Sequence, residues 1–207
     1  MQISDFLAQT PVFTSEQFRE FQSRHGSGNA STRKSLLAHY ERRDRITRVR
    51  RGVYAVIPAG STSENAPIDP YLVASRLAPD AVLAYHTALA FHGRAYSISQ
   101  QFEFLTATAA RPLRFRSWQF RPVSIPKALR RANKEIFGVQ EAERMGLPVH
   151  VTTLERTLVD VLDRPDLGGG WEEIWRSLEA VEFFNLVLET QLTEQEKKDL
   201  TAFMRCL

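Results

Sequence analysis

Apolar positions along the first sixty residues repeat with helical and then with strand periods. Ile3 to Ala8 is a short apolar-periodic stretch that ends near Pro11. Thr14-Ser15-Glu16-Gln17 opens a second helix, because Thr14 and Gln17 have the spacing of a capping box. Phe18 and Phe21, with Val12 or Phe13 before them, form its buried stripe, and Gly26-Ser27-Gly28 stops it. Asn29 or Ser31 can cap a third helix to about Arg43, whose Leu36, Leu37 and Tyr40 share one face. Two β-rich runs follow, from Ile46 to Ile57, around Arg50-Arg51-Gly52. Glycine supplies the positive φ that a short hairpin loop with a bulge requires. Three helices and a two-stranded hairpin make the order of a winged helix-turn-helix.

Residues 58–67 are small, polar and proline-rich without periodicity, which predicts a linker. The domain boundary is therefore expected near residue 60, giving domains 1–60 and 61–207. In the second part, Asp69-Pro70 reads as an N-cap followed by an N1 proline, for a helix to about Leu77. Ala84 to His92 reads as a helix ended by Gly93. Residues 101–123 alternate as strands, with Phe102, Phe104 and Thr106 on one face. A strand pair is expected near Glu135–Glu141 and Val149–Thr152, around Met145-Gly146. Thr152 and Glu155 read as a second capping box, opening a helix that buries Leu154, Leu158, Val161 and Leu162. Gly168-Gly169-Gly170 precedes a helix through Trp171, Ile174, Trp175 and Leu178, and Thr193 with Glu196 caps a last one. The fold class is α+β: an N-terminal winged helix-turn-helix, then a mixed α/β C-terminal domain.

Composition narrows the function classes. A chain of 207 residues with 43% hydrophobic and 25% charged residues is ordinary for a globular protein. No run approaches the ~18 apolar residues of a membrane span. Asp5, Glu16 and Glu20 interrupt the first thirty residues, so no secretory leader is expected and the location is expected to be cytoplasmic. The single cysteine, Cys206, excludes an intramolecular disulfide and a cysteine-based zinc site.

The net charge of +3 hides an uneven distribution. Residues 1–57 hold 10 Lys+Arg against 5 Asp+Glu, residues 58–150 hold 11 against 7, and residues 151–207 hold 6 against 12. Only five of the 27 cations are lysine, and the guanidinium fork suits phosphate and guanine. A basic front and an acidic end point to a polyanion at the front.

In the winged-helix plan one helix enters the major groove by its N-terminal residues. Here those are Asn29, Ser31, Thr32, Arg33 and Lys34, with Arg48, Arg50 and Arg51 at the wing expected to reach phosphates or the minor groove. Arg111, Arg114, Arg116 and Arg121 form a second basic set. Arg114 and Arg116, two apart, are expected on one strand face, either as a solvated surface or as a site for an acidic protein partner or further DNA.

Catalytic and metal motifs are missing. His25, His39, His86, His92 and His150 are scattered, and the six-residue step from His86 to His92 is not a helical metal pair. Gly168-Gly169-Gly170 lacks the phosphate-loop context, and no nucleophile elbow is present. Arg156 and Asp160, four apart, read as a structural ion pair in preference to part of a carboxylate active site with Asp163. No catalytic residue, cofactor or metal is expected.

Three blocks carry a family resemblance: Arg48-Val49-Arg50-Arg51-Gly52-Val53-Tyr54, then Ala84 to Gly93, then Val151 to Asp160 with Asp163-Arg164-Pro165 and Gly168-Gly169. In this order they resemble AbiEi-type antitoxins of type IV toxin–antitoxin pairs, over most of residues 14–182. The tail from about Asn185 to Leu207 carries no matching block. The resemblance implies a phage-defence antitoxin whose winged helix represses its own operon by binding promoter repeats. It also implies a C-terminal domain that counters a nucleotidyltransferase toxin without needing a stable complex, and no catalytic residues. A protein-interaction module that binds an acidic partner through Arg111, Arg114, Arg116 and Arg121 is the competing expectation.

Overall fold

The protein is seen here as a computed structural model that describes residues 3–25 and 29–178. The Gly26-Ser27-Gly28 stop, the Thr193/Glu196 cap and the tail from Asn185 lie outside the described residues.

The chain opens with α1 (Ile3–Gln9), β1 (Val12–Thr14), α2 (Ser15–Arg24), α3 (Ala30–Arg42), β2 (Ile46–Arg50) and β3 (Val53–Val56). The capping box is present: Gln17 N donates to Thr14 Oγ1 at 3.2 Å, and Thr14 N donates to Gln17 Oε1 at 2.8 Å. Thr14 also ends β1, a strand of three residues that periodicity does not reveal. The strands form an antiparallel sheet in the order β1-β3-β2. Alternation gives this sheet two buried faces. Phe13, Ile46 and Tyr54 meet Phe6, Phe18, Phe21 and Leu37 of the helices. The Phe6 ring stands edge-on to Phe13 at 5.2 Å, a geometry that adds about 0.5–1.5 kcal/mol beyond area burial. Val12, Val53 and Ala55 point the other way, into a core shared with the second part of the chain.

Residues 58–67 are tied down at several points. Thr62 N donates to Asn65 Oδ1 at 2.7 Å, Ala66 is buried, and the Arg116 guanidinium donates to the carbonyls of Ser63 and Ala66. α4 (Pro70–Ser75) starts as the sequence predicts, with Asp69 Oδ1 accepting from Tyr71 N and Leu72 N.

Next come β4 (Val82–Leu83), α5 (His86–Phe91), β5 (Gln101–Thr106), β6 (Leu113–Phe115), β7 (Trp118–Ser124) and α6 (Lys127–Arg131). They are followed by β8 (Val139–Arg144), β9 (Leu147–Thr152), α7 (Leu154–Asp163), a 3₁₀ turn (Pro165–Leu167) and α8 (Trp171–Leu178). A six-stranded mixed sheet runs β6-β7-β5-β4-β9-β8. β4 pairs with both β5 and β9 through two residues, too few for a period to register in sequence. Phe102, Phe104, Phe120, Val149 and Val151 pack toward α4 and the three-stranded sheet. On the opposite face Leu105 and Val123 pack with Leu158, Val161 and Ile174 of α7 and α8. The class is mixed α+β with two sheets.

Two local expectations are corrected. Thr153, and not Thr152, caps α7, its side chain accepting from Arg156 N. Thr152 completes β9, where its buried hydroxyl lies 2.7 Å from the Thr157 hydroxyl. Also, Arg116 does not share the face of Arg114. It lies beyond the end of β6 in a turn with φ 54°, so the strand alternation no longer governs its direction.

Candidate nucleic-acid interface

α3 is anchored by one side. Leu37 is its only buried residue, with Leu36 and Tyr40 packed alongside. Ser31, Lys34, Ser35, His39 and Arg42 are exposed, and Arg43 just beyond the helix is exposed as well. Asn29 is the N-cap: its Oδ1 accepts from Thr32 N at 2.9 Å and from Thr32 Oγ1 at 3.0 Å. The Asn29 carboxamide oxygen is thereby engaged, while its amide hydrogens remain donors. Arg33 is half-buried on the same turn. A helix start carries unpaired N–H groups and a partial positive charge, and Lys34 adds a full one.

The hairpin arginines separate. Arg51 is exposed in the turn, beside Gly52 at φ 86°. Arg48 is also exposed, but its Nη2 donates to Glu41 Oε2 of α3 at 2.9 Å and its guanidinium lies 5.8 Å from the Tyr54 ring centroid. Arg50 turns away from the tip, and its Nη2 donates to the Leu77 carbonyl after α4. The register explains the split. Arg48 pairs with Tyr54 and Arg50 with Val53, so Val49 is an extra residue in β2. In a regular strand Arg48 and Arg50 would share a face; the bulge cancels the alternation. Sequence reasoning placed a bulge in this hairpin, but nothing in the sequence names Leu77 as the partner of Arg50.

The second basic set also divides. Arg111 and Arg114 are exposed, and among the described residues neither has an ion pair or hydrogen bond. Arg121 is exposed, with Asp166 at 4.0 Å. Arg116 holds the 58–67 stretch and is not part of a free basic face.

The remaining charged groups are internal. Arg156 Nε lies 2.8 Å from both oxygens of Asp160, and Nη1 donates to the Phe137 carbonyl at 2.8 Å. Burial pushes the Asp160 carboxyl up, against the pull of Arg156. His86 Nε2 lies 3.2 Å from Glu173 Oε1, whereas His92 Nε2 lies 2.8 Å from the Thr152 carbonyl. Glu173 Oε1 also accepts from Ser97 N at 2.9 Å and from the Ser177 hydroxyl at 3.0 Å. Its pKa is lowered: burial opposes the shift, and these donors outweigh it. Among the described residues no three His, Cys, Asp or Glu side chains cluster as metal ligands. No described helix is long and apolar enough to cross a membrane.

No family model matches the chain, and no curated protein matches it.

Proposed function

We propose that this protein is an autoregulating antitoxin, a sequence-specific repressor that binds double-stranded DNA at repeats in its own promoter. In this reading residues 1–60 are a winged helix-turn-helix: α2 and α3 form the helix pair, and β2–β3 is the wing. The observation that carries it is the placement of α3. One side of the helix is anchored by Leu37, while Ser31 and Lys34 at its start and Arg42 near its end face solvent. That is what a helix needs to enter the major groove by its N-terminal turn. The order α1-β1-α2-α3-β2-β3, with strands arranged β1-β3-β2, supports the same plan. Arg51 at the hairpin turn supplies a phosphate contact, while Arg48 braces the wing on Glu41. Phosphate contacts fix register, and the first turn of α3 reads bases.

The resemblance of three sequence blocks to AbiEi-type antitoxins extends the proposal. The second part of the chain counters a nucleotidyltransferase toxin, without needing a stable complex between the two. No residue is assigned a catalytic role.

The test is fluorescence anisotropy on a duplex from upstream of the gene and on a scrambled duplex, at several salt concentrations. The upstream duplex should bind more tightly at moderate salt, and log affinity should fall by about 0.9 per phosphate neutralised with each decade of salt. Replacing Lys34 or Arg33 with Ala should reduce the preference. Equal affinity for both duplexes rejects the repressor. Failure to restore growth when co-expressed with the toxin rejects the antitoxin.

A further inference from the structure

A hollow of about 480 Å³ opens on the six-stranded sheet beside its edge strand β6, lined by Pro112, Leu113, Arg114, Gln119, Arg121 and Gln101. The sheet register assembles it. Arg114 stands opposite Gln119, and Gln119 stands opposite Gln101. These three side chains therefore form one row across three strands on one face. Arg121, two residues beyond Gln119, is on that face as well. Arg114 and Arg121 are diagonal cross-strand neighbours, about 7–8 Å apart and within reach of a common group for side chains this long.

The positive charge of the hollow is not cancelled. Arg114 has no ion pair or hydrogen bond among the described residues. Asp166, 4.0 Å from Arg121, is itself exposed, and such a pair is weak. Glu103 is the direct cross-strand partner of Arg121, yet it makes no ion pair with it. Its Oε2 accepts from the Thr87 hydroxyl at 3.1 Å and its Oε1 accepts from Gln101 Nε2 at 2.8 Å. Burial raises its pKa, against the pull of the Gln101 and Thr87 donors.

The polar groups define the ligand. Two guanidinium forks on a diagonal suit a dianionic phosphoryl group. Gln101 has an amide hydrogen committed to Glu103, which orients the carboxamide and leaves its oxygen to accept from a ligand. Gln119, exposed next to it, offers both a donor and an acceptor. Paired donor and acceptor groups of this kind match the edge of a nucleobase. Pro112, just before β6, supplies an apolar edge for a flat ring. The volume falls in the range of about 300–1,000 Å³ typical of small-ligand sites.

We propose that this hollow binds a nucleoside monophosphate, with Arg114 and Arg121 on the phosphoryl group and the Gln119 and Gln101 carboxamides on the base. The site is separate from α3 and the hairpin, and the inference does not depend on the DNA-binding reading.

Calorimetric titration of the full chain tests it, using AMP, GMP, CMP and UMP with ribose 5-phosphate and inorganic phosphate as comparisons. At least one nucleotide should bind tenfold or more tightly than both comparisons. R114A and R121A should each weaken it at least tenfold, with circular dichroism unchanged because both side chains are exposed. R130A, an exposed cation on α6, should leave binding unchanged. Q119A should reduce the preference for the nucleotide over ribose 5-phosphate. The proposal is overturned if no nucleotide binds more tightly than inorganic phosphate, or if R130A weakens binding as much as R114A. It is equally overturned if R114A weakens duplex DNA binding and leaves nucleotide binding intact, which would assign the hollow to nucleic acid.

Discussion

The Arg50 guanidinium donates to the Leu77 carbonyl, and the hairpin is thereby fastened to the segment that follows α4. Its neighbour Arg51 lies exposed in the turn. Adjacent in sequence, the two arginines have different work, because the Val49 bulge turns Arg50 toward the core that Val49, Val53 and Leu77 share. In the proposed repressor, R51A should weaken every DNA sequence alike and reduce the salt slope by about 0.9. R50A should act on stability, since it leaves the Leu77 carbonyl without this donor, a loss of about 1–3 kcal/mol. Thermal melts and anisotropy on both variants separate the roles. A flattened salt slope for R50A with an unchanged Tm would place Arg50 on DNA after all.

Arg156 and Asp160 are both about 95% buried, at 5% relative exposure each, and Asp160 is the only carboxylate within ion-pair distance of Arg156 among the described residues. D160A strands a buried guanidinium, and removing one partner of such a pair costs about 3–5 kcal/mol. A joint R156M/D160L replacement keeps the branched side-chain shape at position 160 and removes both charges, so it should recover most of that loss. Urea unfolding of the two variants gives the comparison. Equal loss in both would mean that packing of the Arg156 stem against Gly138, where an added Cβ would sit 2.7 Å from Arg156 Cβ, outweighs the charge.

Much of this architecture was legible because local chemistry and tertiary packing agree. The Thr14/Gln17 box, the Asp69-Pro70 helix start, the Phe102/Phe104 face and the Arg156–Asp160 pair all rest on spacings of one to four residues. What the sequence hid depends on distant partners. β1 and β4 hold two or three residues each and exist only through pairing. α6 begins after Pro126 without a side-chain cap and buries no residue, so it leaves neither a start signal nor an apolar stripe. Of the candidate site residues, Lys34 near the start of α3 and Arg51 in the hairpin turn are exposed. Arg50 and Arg116 were misdirected because a bulge and a left-handed turn residue each reset the alternation. Their acceptors, the carbonyls of Leu77, Ser63 and Ala66, are backbone atoms with no sequence signature.

Glu103 and Asp80 should give the protein opposite pH responses. Burial raises the folded-state pKa of Glu103 above the ordinary carboxyl value. It therefore holds its proton more tightly folded than unfolded, and the stability this adds is complete at acid pH. That stability is lost as pH rises from the ordinary carboxylate range through the raised value. Asp80 is shifted the other way. Burial pushes its pKa up, but the Thr106 hydroxyl at 2.6 Å, Ala107 N at 2.6 Å and the Thr108 hydroxyl at 3.0 Å outweigh it. Its contribution is present at neutral pH and is lost as pH falls through the ordinary range toward the lowered value. In urea unfolding from acid to neutral pH, E103Q should therefore gain on the wild type as pH rises. D80N should be weakest relative to the wild type at neutral pH and converge with it toward acid. Gln at position 103 keeps an amide oxygen for the Gln101 donor and a hydrogen for the Thr87 oxygen, so the variant should fold. A stability difference for E103Q that does not change with pH would show that the Glu103 carboxyl titrates at its ordinary value.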